Sequence, residues 1–191
     1  NEPKKRGDWG IGARWQPEWL DGTVGFYYRN FTDKIPALFR FTAPTPYYKE
    51  FYGENIDLFG ISLSKQIGPA SVGAEVSYRH NMTLYSPLLA NLNGSAVLYP
   101  NGRPTLIENS YQARGNTWHA LVNAVVVLPK ASLGDLTLFD TASVLGELTY
   151  SRLDKVTANQ DMYQGIGYGV CNVSRKAALG ANFRDKWDGC S

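Results

Sequence analysis

Two histidines, His80 and His119, are the only imidazoles in 191 residues. His119 shares one face of a strand-like segment with Asn123, and Ser143 lies on the next segment, on the face that also bears Glu147. Serine, histidine and an orienting amide or acid are the parts of a nucleophilic hydrolase when they touch. No nucleophile elbow surrounds Ser143, so the plainer reading is a wet strand face, with no turnover chemistry and no catalytic residues. His80 stands where a strand pattern enters a loop and reads as a surface residue. Asp154, Asn159 and Asp161 could offer oxygens to calcium, but EF-hand spacing is absent. Gly165-Ile166-Gly167-Tyr168-Gly169 lacks the lysine, the serine and the following helix of a phosphate loop. The sequence therefore implies no metal and no cofactor.

The residues left with chemistry to offer are charges and rings. Arg14, Arg29, Glu75, Arg79 and Glu147 each stand within an alternating segment, on its polar side. A lone charge in a small packed core is costly, whereas a water-containing lumen accepts it. There such charges would tune which solutes pass. Phe39, Phe41, Tyr47, Tyr48, Phe51 and Tyr52 crowd a proline-containing stretch and are candidates for stacking on an apolar or ring-bearing solute; the alternative is that they pack the loop onto a rim. Cys171 and Cys190, in polar surroundings, are expected to form a disulfide in an oxidising compartment, with two unrelated thiols as the alternative.

These residues need elements to hold them. Asp8–Gln16, Thr23–Phe31, Asp57–Lys65, Ser71–Arg79, Asn116–Leu128 and Ala142–Leu153 are strand candidates, and most of them alternate apolar with polar residues. Period two over such lengths predicts strands, not helices. Weaker alternation at 163–170 and 177–183 suggests two further strands or one long loop. Short connections fall near 17–22, 67–70 and 129–141. Long ones span 32–54, 80–115 and 154–190 and read as irregular, with a weak helical signal at Ser86–Leu92. Short and long connections alternate, so a meander would collect every long loop at one end. Tyr and Trp at the ends of the apolar faces suit a membrane interface. One feature runs against a wet lumen: the inner face of Asn116–Leu128 carries Leu121, Val125 and Val127.

The totals agree. Nineteen basic and seventeen acidic residues leave a net charge of +2, with no basic run to suggest nucleic acid. No stretch approaches the eighteen apolar residues of a transmembrane helix, whereas barrel strands need only about ten alternating residues. The expectation is an all-β chain, a portion of an antiparallel up-and-down transmembrane β-barrel, in one domain spanning 1–191.

WLDGTVGFYYRNF at Trp19–Phe31, IDLFGISLSK at Ile56–Lys65, SVGAEVSYR at Ser71–Arg79, RGNTWHALVNAVVVLP at Arg114–Pro129, LGELTYSRL at Leu145–Leu153 and DKWDGC at Asp185–Cys190 together carry a resemblance. As an ordered run they resemble the Gram-negative outer-membrane proteins grouped as domain of unknown function 1302, of which this chain looks like an internal portion. The resemblance implies a bacterial outer-membrane location, contact with outer-membrane lipid, a periplasmic envelope partner and handling of small hydrophobic solutes. It supplies no catalytic residues. The function expected is a passive channel or conduit. The alternatives are a non-conducting barrel anchoring an envelope complex, and a secreted soluble β-sandwich that binds glycans.

Overall fold

In a computed structural model the described residues are 7–41, 45–84, 89–91, 102, 104–129, 141–165 and 168. They form an all-β, mostly antiparallel fold of two sheets. The strands are β1 (Trp9–Trp15), β2 (Gly22–Phe31), β3 (Ala37–Phe41), β4 (Tyr47–Phe51), β5 (Ile56–Ile67), β6 (Ala70–Thr83), β7 (Leu89–Asn91), β8 (Arg114–Pro129) and β9 (Thr141–Ala158). The larger sheet has the order β1-β2-β5-β6-β8-β9 and each neighbouring pair is antiparallel. Among the described residues this sheet does not close on itself: β1 and β9 are its two edges. No helix among them is long and apolar enough to cross a membrane.

Register decides what each face carries. One row across the sheet reads Ile11, Tyr28, Phe59, Tyr78, Trp118, and the next Ala13, Phe26, Ile61, Val76, Ala120, Tyr150. A third reads Trp15, Val24, Leu63, Ala74, Val122, Leu148. The opposite face interleaves Arg14, Gly25, Ser62 and Glu75 with Tyr27, Gly60, Ser77, His119 and Ser151. Because strand side chains alternate, a slip of one residue would exchange the two faces entirely.

The apolar face is largely exposed, and burial is found at the centre of the polar face. Phe59 and Ile61 are 50% and 55% exposed, while Gly60 between them is buried, as are Ser77 and Thr117 on the polar face. Tyr27 accounts for part of this. Its ring lies against Gly60, and a Cβ built there would overlap the ring. Gly60→Ala should therefore swing Tyr27 off β5 and destabilise the sheet by about 1–3 kcal/mol. Thermal melts check this, and adding Tyr27→Ala should make the Gly60 substitution nearly neutral.

The two ends of the larger sheet differ. Gly68, at φ +56°, and Pro69 join β5 to β6 in the arrangement of a II′ hairpin turn. At the other end the loops build a cap of their own. The β3–β4 hairpin pairs antiparallel, and β3 pairs parallel with β7, giving the small sheet β4-β3-β7. Phe39, Phe51, Leu84, Ala113, Val156 and Met162 form its buried core, with Tyr111 packed against them. So among the described residues the hydrophobic core lies at the loop end and not behind the middle of the long sheet.

Three expectations change. The 32–54 stretch is not irregular, because it folds as the β3–β4 hairpin. The helical signal gives way to strand at Leu89–Asn91, where pairing with β3 overrides local preference. The expected Cys171–Cys190 disulfide is corrected: no disulfide is present among the described residues, and both cysteines lie outside them. A bridge needs Cβ atoms about 3.5–4.5 Å apart, which sequence spacing alone does not supply. The 130–140 connection, half of the 163–170 segment and all of the 177–183 segment also lie outside the described residues.

Candidate functional site

The polar face is best ordered where β6, β8 and β9 run side by side. Register sets Ser77, His119 and Ser151 in one row. The His119 ring is held between two hydroxyls: Thr117 Oγ1 lies 2.9 Å from Nε2 and Ser151 Oγ lies 3.2 Å from Nδ1. The serine that meets His119 is thus Ser151. Ser143 pairs with Val127, far along the strand. A cavity of about 240 Å³ opens here, lined by Glu75, Ser77, Arg79, His119, Thr149 and Ser151 among others. The Arg79 Nε–H is buried within the sheet and has no hydrogen-bond partner. The Tyr27 hydroxyl faces Glu75 but, by strict geometry, completes no hydrogen bond to it.

The other polar-face charges are spread out. Arg14 stands across from Gly25 near the turn end, and the Arg29 guanidinium sits 5.0 Å above the Phe31 ring. Glu147 pairs in register with Asn123. Leu121, between Glu75 and Thr149, is partly sheltered, whereas Val125, Val127 and Leu145 are exposed on this same face.

The apolar face is ordered in a different way. Its loop-end row is aromatic, with ring centroids 4.9 Å apart for Tyr28–Phe59 and 4.7 Å for Tyr78–Trp118. Trp9 continues it, 5.1 Å from Tyr28. The Tyr28 hydroxyl donates to Asp57 Oδ1 at 2.6 Å, and Asn30 Nδ2 donates to the same oxygen. His80 Nδ1 lies 3.5 Å from Asp57 Oδ2. The rings therefore face the apolar rows while their hydroxyls reach a polar rim. Trp15 and Trp19, 6.2 Å apart, mark the turn end.

The candidate aromatics of the first long loop divide. Phe39 and Phe51 are buried in the cap core, and Phe41 stacks on Tyr47 at 4.7 Å and 6°. Tyr47 and Tyr48 remain exposed, and Tyr52 lies 3.5 Å from Glu50. Among the described residues no group of three or more His, Cys, Asp or Glu could hold a metal. The Asn159 side chain is engaged otherwise: its Nδ2 donates to the carbonyls of Thr105, Tyr111 and Gln112.

The residue that sequence reading passed over is Arg114. It is fully buried at the start of β8. Its NH1 donates to Asn81 O at 3.0 Å, and its NH2 reaches Glu108 O at 2.9 Å, Ile107 O at 3.4 Å and Glu54 O at 3.5 Å. Local backbone aims these carbonyls. Asn81, at φ +57°, sits in the β6 bulge, and Glu108 and Asn109, at +44° and +57°, form the tight turn from Ile107 to Ser110. Burial pushes the guanidinium down to about 10, opposed by the acids Glu108, Asp33 and Glu54, so it stays cationic at neutral pH. Nearer the first strand, desolvation raises Asp8, but Lys34 and the Thr32 amide outweigh it and hold the carboxylate below its ordinary value.

No curated protein and no solved structure matches the chain significantly. The family model described as "Protein of unknown function (DUF1302)" matches residues 1–190. A match of that extent, over the whole ordered run of strands and the loops between them, makes this chain a member of the DUF1302 family.

Proposed function

We propose that the chain forms part of an outer-membrane β-barrel whose apolar face meets lipid and whose polar face lines a water-containing passage for small solutes. The observation that carries this reading is the continuous apolar face of the long sheet, with Ile11, Phe26, Phe59, Ile61, Val76, Val122 and Leu148 exposed side by side on it. Exposed apolar patches of that continuity mark lipid or partner contact. The dimensions support it. From Trp118 to Leu128, at ~3.4 Å per residue and a tilt of ~40°, β8 projects about 26 Å, against an apolar band of about 25 Å in such barrels. Tyr and Trp at both limits suit the membrane interfaces. The cap would then stand on the outer side, above the mouth. The passage is passive and carries out no turnover.

The full chain in a planar bilayer tests this. Discrete openings, blocked by a solute, are expected. Stable insertion without openings would overturn the conduit and favour a non-conducting anchor, for which the packed cap speaks. A chain that stays in water without detergent and does not insert would overturn the membrane reading altogether.

A further inference from the structure

We propose that the polar face binds single-chain amphiphiles with a carboxylate head, the head seated beside Arg79 and His119 and the alkyl tail laid along Leu121, Val125 and Leu145. The first support is Arg79. Its Nε–H is buried without a partner, and no carboxylate stands within ion-pair range of it among the described residues. A buried donor left unpaired costs about 1–3 kcal/mol. A planar carboxylate is the acceptor that best matches a guanidinium fork.

The rest of the cavity fits that head. The buried Ser77 hydroxyl, with those of Thr149 and Ser151, lines the same space. His119 is fixed there by its contacts to Thr117 and Ser151. A volume of about 240 Å³ accepts a head group and its first carbons, and not a whole chain. Glu75, on the same face of β6 two rows from Arg79, repels a second negative charge, so a monoanion is favoured over a polyanion.

The second support is independent of the cavity. A water-facing surface has no use for Val125 and Leu145, which are 37% and 70% exposed there. They stand in register with each other, two rows beyond the Leu121–Thr149 pair. Asn123, on the strand between Leu121 and Val125, leans its amide away over Gly73, where a Cβ would meet its Oδ1 at 2.6 Å. That opens the β8 side of the row, so the tail runs along β8 past Asn123, with Glu147 on β9 beside it and free to turn its carboxylate to water. From His119 to Val127 this path runs about 27 Å at ~3.4 Å per residue, ample for a tail of about a dozen carbons.

This inference rests on the conduit reading for how a ligand would reach the site. The test uses the full chain in phospholipid nanodiscs, titrated calorimetrically with sodium dodecanoate and, as the uncharged control, dodecanol; empty nanodiscs correct for partitioning. Saturable dodecanoate binding is expected, weakened about 10- to 100-fold by Arg79→Gln and partly restored by Arg79→Lys. Arg152→Gln, on β9 but on the opposite face, should leave it unchanged. Val125→Asn should weaken dodecanoate more than octanoate. Equal binding of dodecanoate and dodecanol, or an Arg79→Gln variant that binds as well as the parent, would overturn the site. Conductance of the same preparation separates the two readings: binding without openings overturns the conduit alone, and openings without binding overturn the site alone.

Discussion

Replacing Arg114 with leucine is expected to unfasten the loop end while leaving the long sheet paired. The side chain is fully buried, and its guanidinium reaches carbonyls from three separate parts of the chain: Glu54, Asn81 and the Ile107–Glu108 turn. Leucine would fill much of the space but take this donor from the Asn81 and Glu54 carbonyls, leaving Glu108 O and Ile107 O only their backbone donors, the Glu54 and Ser110 amides. Removing one partner from a buried charged network typically costs about 3–5 kcal/mol. At about 1.4 kcal/mol per tenfold, amide exchange in the cap should quicken by roughly 100-fold or more. The amides to watch are those of Glu54, bonded to Glu108 O, and Leu84, bonded to Ala113 O. Amides of Val76 and Ala120, deep in the long sheet, should be unmoved. Lysine should rescue little, since one ammonium cannot span the fork. Gly53→Ala should mimic the defect, because a Cβ there would overlap Thr83 and the guanidinium. Unchanged exchange in Arg114→Leu would mean the apolar core of the cap holds the loops by itself.

The second large effect concerns the exposed apolar face. Val122 lies between Ala74 and Leu148 and is 49% exposed, near the middle of the span from Trp118 to Leu128. If lipid covers that face, Val122→Arg should cost about 2–4 kcal/mol, the range for a cation on the lipid side at mid-depth. Asn123→Arg, one residue on, points to the polar face and should cost little. Urea titrations of folding into phospholipid vesicles measure both. Equal effects at the two neighbouring positions would sink the assignment of faces, and a cost for Asn123→Arg alone would reverse it.

The long sheet was legible in the sequence because its strands obey period two over seven to eighteen residues. Val24, Phe26 and Tyr28, or Val72, Ala74 and Val76, announce a face by themselves. The assignment of Arg14, Glu75 and Glu147 to the polar side followed from the same alternation. The cap was harder to read. Leu38-Phe39-Arg40-Phe41 carries a short alternation, but nearby prolines argue for loop, and the parallel partner of β3 lies about fifty residues away in sequence. The meeting of His119 with Ser151 was also hidden. It depends on the register between β8 and β9, and bulges near Arg114 and Asn116 shift that register without any mark in composition. Arg114 looked like a flanking residue, since nothing local foretells that distant carbonyls will converge on it.

Arg114 fastens the loops by their backbone. Its acceptors are main-chain oxygens, which every amino acid supplies, so the hydrogen bonds themselves do not depend on the side chains at Glu54, Ile107 or Glu108, and the carboxylates of Glu54 and Glu108 add only the charge that helps keep the guanidinium protonated. The outward surface of the loops can therefore be rewritten residue by residue while its anchor is kept. If the cap stands on the outer side of a membrane, as proposed, that is room to vary under selection without refolding. It also marks a practical graft point: foreign loop sequences should be accepted between Ile107 and Ser110 as long as the turn still directs its carbonyls inward.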